Sequence, residues 1–277
     1  MKQIKISLTV LIMVLSNFLI AQNNTKIVNK NPLVIGEKIK IKSEILNENR
    51  ILNIYLPNGY SKDSIKEYPV IYLLDGSIDE DFIHISGLVQ FGSFSWINMI
   101  PETIVVGISN IDRKRDYTFH TNNKKLKKEF LTTGKSELFI DFIEKELQPF
   151  IKKNYKVNTV KTLIGQSLGG LLAAEILFKK PNLFDNYIIV SPSLWWDEES
   201  LLNYEPKKYQ TKKSIYIAVG KEGDIMEREA KGLFEKLKIE KRENTALYFR
   251  FLENQNHGDA LHLAVYFAFE RIFSNEK

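Results

Sequence analysis

The chain reads as an α/β protein with a mostly parallel central sheet and helices on both faces, a three-layer sandwich. Two observations predict it. Five apolar runs, at 69–74, 102–108, 162–164, 187–190 and 214–219, lack the polar alternation of a half-exposed strand, as strands covered on both faces do. Stretches with apolar residues at helical spacing, 137–153, 168–178, 226–237 and 261–273, alternate with them. Strand followed by helix builds βαβ units, whose crossovers share one hand.

The elements follow in order. Met1 to Lys5 is short and basic, and 6–20 is almost wholly apolar before Ala21 and a polar run. This pattern predicts a secretory signal peptide over 1–21, cleaved near Ala21, and a secreted or periplasmic protein. The apolar run is shorter than the ~20 residues that span a bilayer, so no membrane association is expected after cleavage. Residues 39–46 and 51–57 alternate well enough to form an antiparallel hairpin about a turn at 47–50. From residue 68 onward the buried strands begin. Pro149 falls inside the 137–153 helix, where a missing N–H and a ring clash predict a kink. No repeat or linker interrupts 22–277, which is expected to be a single domain.

Composition narrows the chemistry. The chain has no cysteine, which removes thiol nucleophiles and thiolate metal sites. Its formal net charge is +5, and loss of Lys2 and Lys5 with the leader leaves +3, too mild to imply nucleic acid. Segment 112–135 concentrates basic residues, among them Arg113, Lys114, Arg115, Lys124, Lys125, Lys127 and Lys128. It reads either as a basic flap that attracts an anionic ligand or as a solvated loop. Arg113 and Arg115, beside Asp116, suit a structural ion-pair network better than contact with substrate, and Arg113 is also carried as a candidate ligand contact.

The buried run at 162–164 ends in Gly165-Gln166-Ser167-Leu168-Gly169, and a helix of small residues follows. Strand, serine and helix in that order make a nucleophile elbow. The turn forces the serine backbone into strain, and glycines two places either side leave room for it. Ser167 is therefore the candidate nucleophile. The amide of Leu168, at a helix N-terminus, is a candidate oxyanion donor. A second donor is expected from the loop 75–77 after the first buried strand, with Gly76 the candidate.

A serine hydroxyl needs a base. There are four histidines: His84, His120, His257 and His262. The order serine, acid, histidine along hydrolases with this elbow leaves His257 and His262. His257 sits in a polar, glycine-containing loop after the strand 247–252, where a base would be presented. His262 falls inside the last helix. The acid is expected after strand 214–219, where Glu222 and Asp224 both stand; Glu222 is preferred and Asp224 is the alternative.

With these residues placed, the chain resembles the putative-esterase branch of the α/β-hydrolases, which includes enterochelin esterases, esterase D and feruloyl esterases. The resemblance rests on 68–76, Arg113 to Thr118, Gly165 to Gly170 and the run Ser191-Pro-Ser-Leu-Trp-Trp-Asp197, and covers most of the chain. The last run is similar to siderophore-esterase-like members, and the resemblance implies that it helps shape the pocket near Ser167. Read from the residues alone, Trp195 and Trp196 suit either stacking on a flat acyl or aryl group or packing in the core. The resemblance implies an α/β-hydrolase fold and a serine ester hydrolase working through an acyl-enzyme on a small-molecule ester, without metal or organic cofactor. An enterobactin-like trilactone is one expected substrate. A feruloyl or acetyl sugar ester, acyl transfer to an alcohol, and ligand binding without catalysis are the alternatives.

Overall fold

The structure is a computed structural model that describes residues 26–239 and 243–273. The expected leader, 1–21, lies outside the described residues. Residues 26–34 form no helix or strand and belong to a unit separate from the compact one, Ile35–Lys277. All elements below lie in the second unit.

The sheet is built from β1 (Gly36–Ser43), β2 (Glu48–Tyr55), β3 (Tyr68–Leu73), β4 (Ile104–Ile108), β5 (Val157–Gln166), β6 (Asn186–Val190), β7 (Lys213–Gly220) and β8 (Thr245–Leu252). Their order is β1-β2-β4-β3-β5-β6-β7-β8. β1 and β2 are antiparallel to their neighbours, and β4, β3 and β5 to β8 run parallel. Alternate residues of one strand feed opposite faces: Val70 and Tyr72 join one apolar cluster, Ile71 and Leu73 the other.

The helices are α1 (Phe82–Gly92), α2 (Arg113–Tyr117), α3 (Lys124–Glu129), α4 (Ser136–Phe142), α5 (Gln148–Asn154), α6 (Leu168–Lys179), α7 (Ser200–Asn203), α8 (Asp224–Ile239) and α9 (Ala260–Ile272). α1 and α9 cover one face of the sheet, while α4, α5, α6 and α8 cover the other. The expected kink at Pro149 is taken up by a wider π turn, Ile143–Leu147, that joins α4 to α5. There the Gln148 N–H reaches back five residues to the Ile143 carbonyl, easing the strain a proline imposes one position later.

Two boundaries differ from expectation. The hairpin turns near 44–47 because Glu146 on the π turn accepts the Glu44 and Ile45 N–H groups, and Asn47 takes a positive φ of 50°. A distant carboxylate, rather than local turn residues, sets that corner. Segment 112–135 contains α2 and α3 instead of being irregular throughout. α3 has an N-cap, Asn123, whose side-chain oxygen accepts the Lys125 and Leu126 N–H groups. Lys124, Lys125, Lys127 and Lys128 all face solvent, the solvated alternative. Arg115 instead forks onto Glu48 and also holds Asp116, which is buried against the fully buried Arg50. This ion network ties α2 to the hairpin.

Candidate active site

β5, β6, β7 and β8 lie side by side and parallel, so the loops that follow their C-terminal ends gather at one edge of the sheet, where open α/β sheets place ligands. β5 delivers Ser167, whose backbone sits at φ 58° and ψ −120°. That left-handed, strained conformation is held from three directions: the Ser167 N–H donates to the Val190 carbonyl, and the Ser167 carbonyl accepts from Leu171 and Ser193 N–H groups. Gly165 is required here, since a Cβ on it would stand 2.4 Å from the Gly169 carbonyl oxygen. The Leu168 N–H opens α6 and has no carbonyl one turn back within that helix.

The loop after β7 carries Glu222 and the loop after β8 carries His257. His257 Nδ1 lies 2.6 Å from Glu222 Oε2. Glu222 Oε1 accepts from Ser191 Oγ at 2.5 Å and from the Gly220 N–H at 3.0 Å. Burial pushes this carboxyl up, but the hydrogen bonds from His257, Ser191 and Gly220 outweigh it and hold it below the usual range. Asp224 is exposed in the first turn of α8 and makes no contact with His257. The loop is instead held by Glu227, whose Oε1 accepts both the Glu222 and Gly223 N–H groups.

His257 and Ser167 are linked through the backbone: Gln166 Nε2 donates to the His257 carbonyl at 2.6 Å. Among the described residues, the hydroxyl of Ser167 has one hydrogen-bond partner, Ser193 Oγ at 3.3 Å, and does not bond the imidazole in this conformation. Unliganded sites often hold such pairs apart. His262 turns away and pairs with His84.

Three expectations are corrected. Gly76 is not a free oxyanion donor, because its N–H donates to the Ile108 carbonyl at 3.0 Å. Its role is close packing: a Cβ there would lie 2.3 Å from the Gly107 Cα. Trp196 does not face a pocket; it is fully buried, with its indole N–H on the Phe119 carbonyl, while Trp195 is half-buried beside Phe130. Arg113 forks onto Asp75, with Nε 2.6 Å from Oδ1 and Nη2 2.9 Å from Oδ2, and Nη2 also reaches the Gln166 carbonyl. The guanidinium therefore braces the loop after β3 against the nucleophile strand rather than reaching outward.

Ser191, Ser193, Gln166 and Asp75 were not singled out from the sequence. The signal available was the Ser-Pro-Ser run itself, whose two hydroxyls end on the candidate acid and the candidate nucleophile.

The segment after Trp196 is unusual. Asp197, Glu198 and Glu199 are consecutive residues with φ between 51° and 61°. Glu199 faces Glu229 of α8, which is 1% exposed; Arg228 Nη2 stands 3.6 Å from Glu229 Oε1, too far for a hydrogen bond, so the carboxylate is only loosely paired. Burial, reinforced by the charge of Glu199, pushes the Glu229 carboxyl up to about 7. A carboxyl raised in the fold loses stability as pH rises from its unfolded range through its folded value. Glu229→Gln should therefore match wild type below about pH 4 and gain up to about 3 kcal/mol above pH 7. Melting curves between pH 5 and 8 check this; a gain that does not grow with pH would remove the explanation.

The cleft on the α1 and α9 side has a volume of about 640 Å³ and is lined by Glu80, Asp81, Asp259, His84, His262 and Gln166 among others. Burial, then the neighbouring Asp75 and Glu80 charges, pushes Asp81 up to about 6. The lining is acidic and offers an anion no electrostatic attraction.

Comparison with known proteins places this geometry in context. The sequence model of a family described as "Putative esterase" matches residues 43–269. The ferri-bacillibactin esterase BesA of Bacillus subtilis is 28% identical over 252 residues, 83% of this chain and 87% of that protein. Among solved structures, an IroE-like serine hydrolase from Shewanella oneidensis matches with a TM-score of 0.78 and 28% identity, covering 87% of this chain and 81% of that one. The BES protein from Bacillus cereus matches with a TM-score of 0.76 at 28% identity, over 90% of this chain and 99% of that one. The siderophore hydrolase EstA from Aspergillus nidulans, at 19% identity and a TM-score of 0.77, shares the fold.

Proposed function

Because the chain belongs to the putative esterase family, we propose that it is a serine ester hydrolase acting on a siderophore ester of the trilactone type. The observation that carries the chemistry is the His257–Glu222 pair beside a strained Ser167. Ser167 Oγ adds to the ester carbonyl as His257 Nε2 takes its proton; Glu222 holds Nδ1–H and stabilises the imidazolium. The Leu168 N–H donates to the oxyanion. The tetrahedral intermediate collapses, the alcohol leaves with the proton from His257, and water then resolves the acyl-enzyme through the same base. The chemistry is complete with one ester and one water.

The substrate class rests on likeness to a ferri-bacillibactin esterase over 83% of this chain, not on charge. Purified protein should open enterobactin- and bacillibactin-type trilactones to linear products, read by mass spectrometry, in a Ser167-dependent way. Cleavage of feruloyl sugars with trilactones untouched would overturn the substrate; tight binding of a trilactone without turnover would overturn the esterase. Residues 1–21 are proposed to be removed on export, and the N-terminal sequence of protein recovered from the producing cell checks that.

Arg113→Lys keeps the charge and loses the fork that grips Asp75. Loosening that brace by ~1 Å should lower kcat/KM by about 10²-fold while KM moves little. Steady-state kinetics decide it, and an unchanged kcat would assign Arg113 to stability alone.

A further inference from the structure

His84 is the third residue of α1 and His262 the third of α9, and both face the cleft beside Gln166 and Gly258. His84 Nε2 and His262 Nδ1 stand 2.5 Å apart, with ring centroids at 4.4 Å. The proposed ester chemistry uses neither ring. We propose that this pair is a binding site for a borderline divalent first-row cation, Zn²⁺, Ni²⁺ or Cu²⁺, that bridges α1 and α9 at the rim of the cleft.

Three observations favour it. The two ring nitrogens come from different helices and meet 2.5 Å apart, and rings turned and drawn slightly apart would offer two cis ligands ~3 Å from each other around a metal–nitrogen distance of ~2.0–2.1 Å. Imidazole is the donor that suits these ions. The cleft carries Glu80, Asp81 and Asp259 and no lysine or arginine among the residues lining it, in a chain of net charge +5. A cation is therefore drawn there while most of the surface repels it.

The donor set defines the type of site. Among the described residues no third histidine or carboxylate completes a ligand cluster, so water fills the remaining positions. Selection for the hard ions Mg²⁺ and Ca²⁺ is not expected, because they prefer all-oxygen shells. In the neutral pair one ring donates its N–H to the other; on metal binding that ring moves the proton to its far nitrogen, so both lone pairs reach the metal without net proton release. Protonation of either ring competes with the metal, and affinity falls in acid.

The test is calorimetric titration of tag-free protein with Zn²⁺ and with Ni²⁺ at pH 7.5, alongside His84→Ala, His262→Ala and, as a control elsewhere in the chain, His120→Ala. The expected result is one saturable site per chain in wild type and His120→Ala, lost in both other variants. Metal should raise the melting temperature of wild type and not that of either variant. His84→Gln and His262→Gln, similar in size to histidine, repeat the test if an alanine variant melts early. No saturable site in wild type, or affinity unmoved by either His84 or His262 substitution, overturns the proposal. Binding is read directly, so failure here is distinct from failure of the esterase reading.

Discussion

Ser167→Ala should lower ester turnover by about 10⁶-fold and leave the melting temperature close to that of wild type. The chemical loss is large because no other hydroxyl can replace Oγ. Ser193 Oγ is 3.3 Å from it, but Ser193 sits on the next loop, with its N–H tied to the Ser167 carbonyl. The structural loss is small because the side chain makes that one hydrogen bond and the backbone strain at φ 58° is the same for alanine. A fluorophosphonate, which forms an Oγ–P bond with loss of fluoride, should add once to wild type and not to the variant. Full turnover by the purified variant would end the assignment of Ser167 as nucleophile.

Glu222→Gln should lower kcat by about 10⁴-fold, with Asp224→Asn within about twofold of wild type. Glutamine preserves size but has one acceptor oxygen where the carboxylate has two. Ser191 Oγ and the Gly220 N–H both donate to Oε1, and His257 requires an acceptor at Oε2. Placing the amide nitrogen at Oε2 would turn a donor toward Nδ1 and favour the wrong tautomer. Placing it at Oε1 would set N–H groups against two donors. Asp224, exposed at the start of α8, has no such duty. Equal losses in the two variants would point to a loop effect instead of an acid.

The parallel strands could be read from the sequence because burial on both faces removes polar residues from them altogether. α1 could not. Its eleven residues include Gly87, Gly92 and several β-branched side chains, and Asp81 makes no side-chain cap to it. Packing of Phe82, Ile85 and Val89 against the sheet overrides that weak propensity. β5 begins at Val157, five residues before its apolar part, because its first half is only half-buried. At the site, chain order and loop position were enough to bring Glu222 to His257. Gly76 and Trp196 stay ambiguous in the sequence for a shared reason: it shows that a glycine or an indole is present, but not which carbonyl its N–H meets. The pairing of His84 with His262 joins positions 178 apart, and nothing local announces it.

The placement of His257 after the last strand has a consequence for timing. Synthesis runs from the N-terminus, and the elbow, Ser191 and Glu222 all emerge before β8, the loop bearing His257, and α9. On the proposed mechanism, a nascent chain therefore carries Ser167 without its base until β8 and the loop after it have been made. On that mechanism, an ester met during synthesis survives until β8 has joined the sheet beside β7 and His257 has reached Glu222.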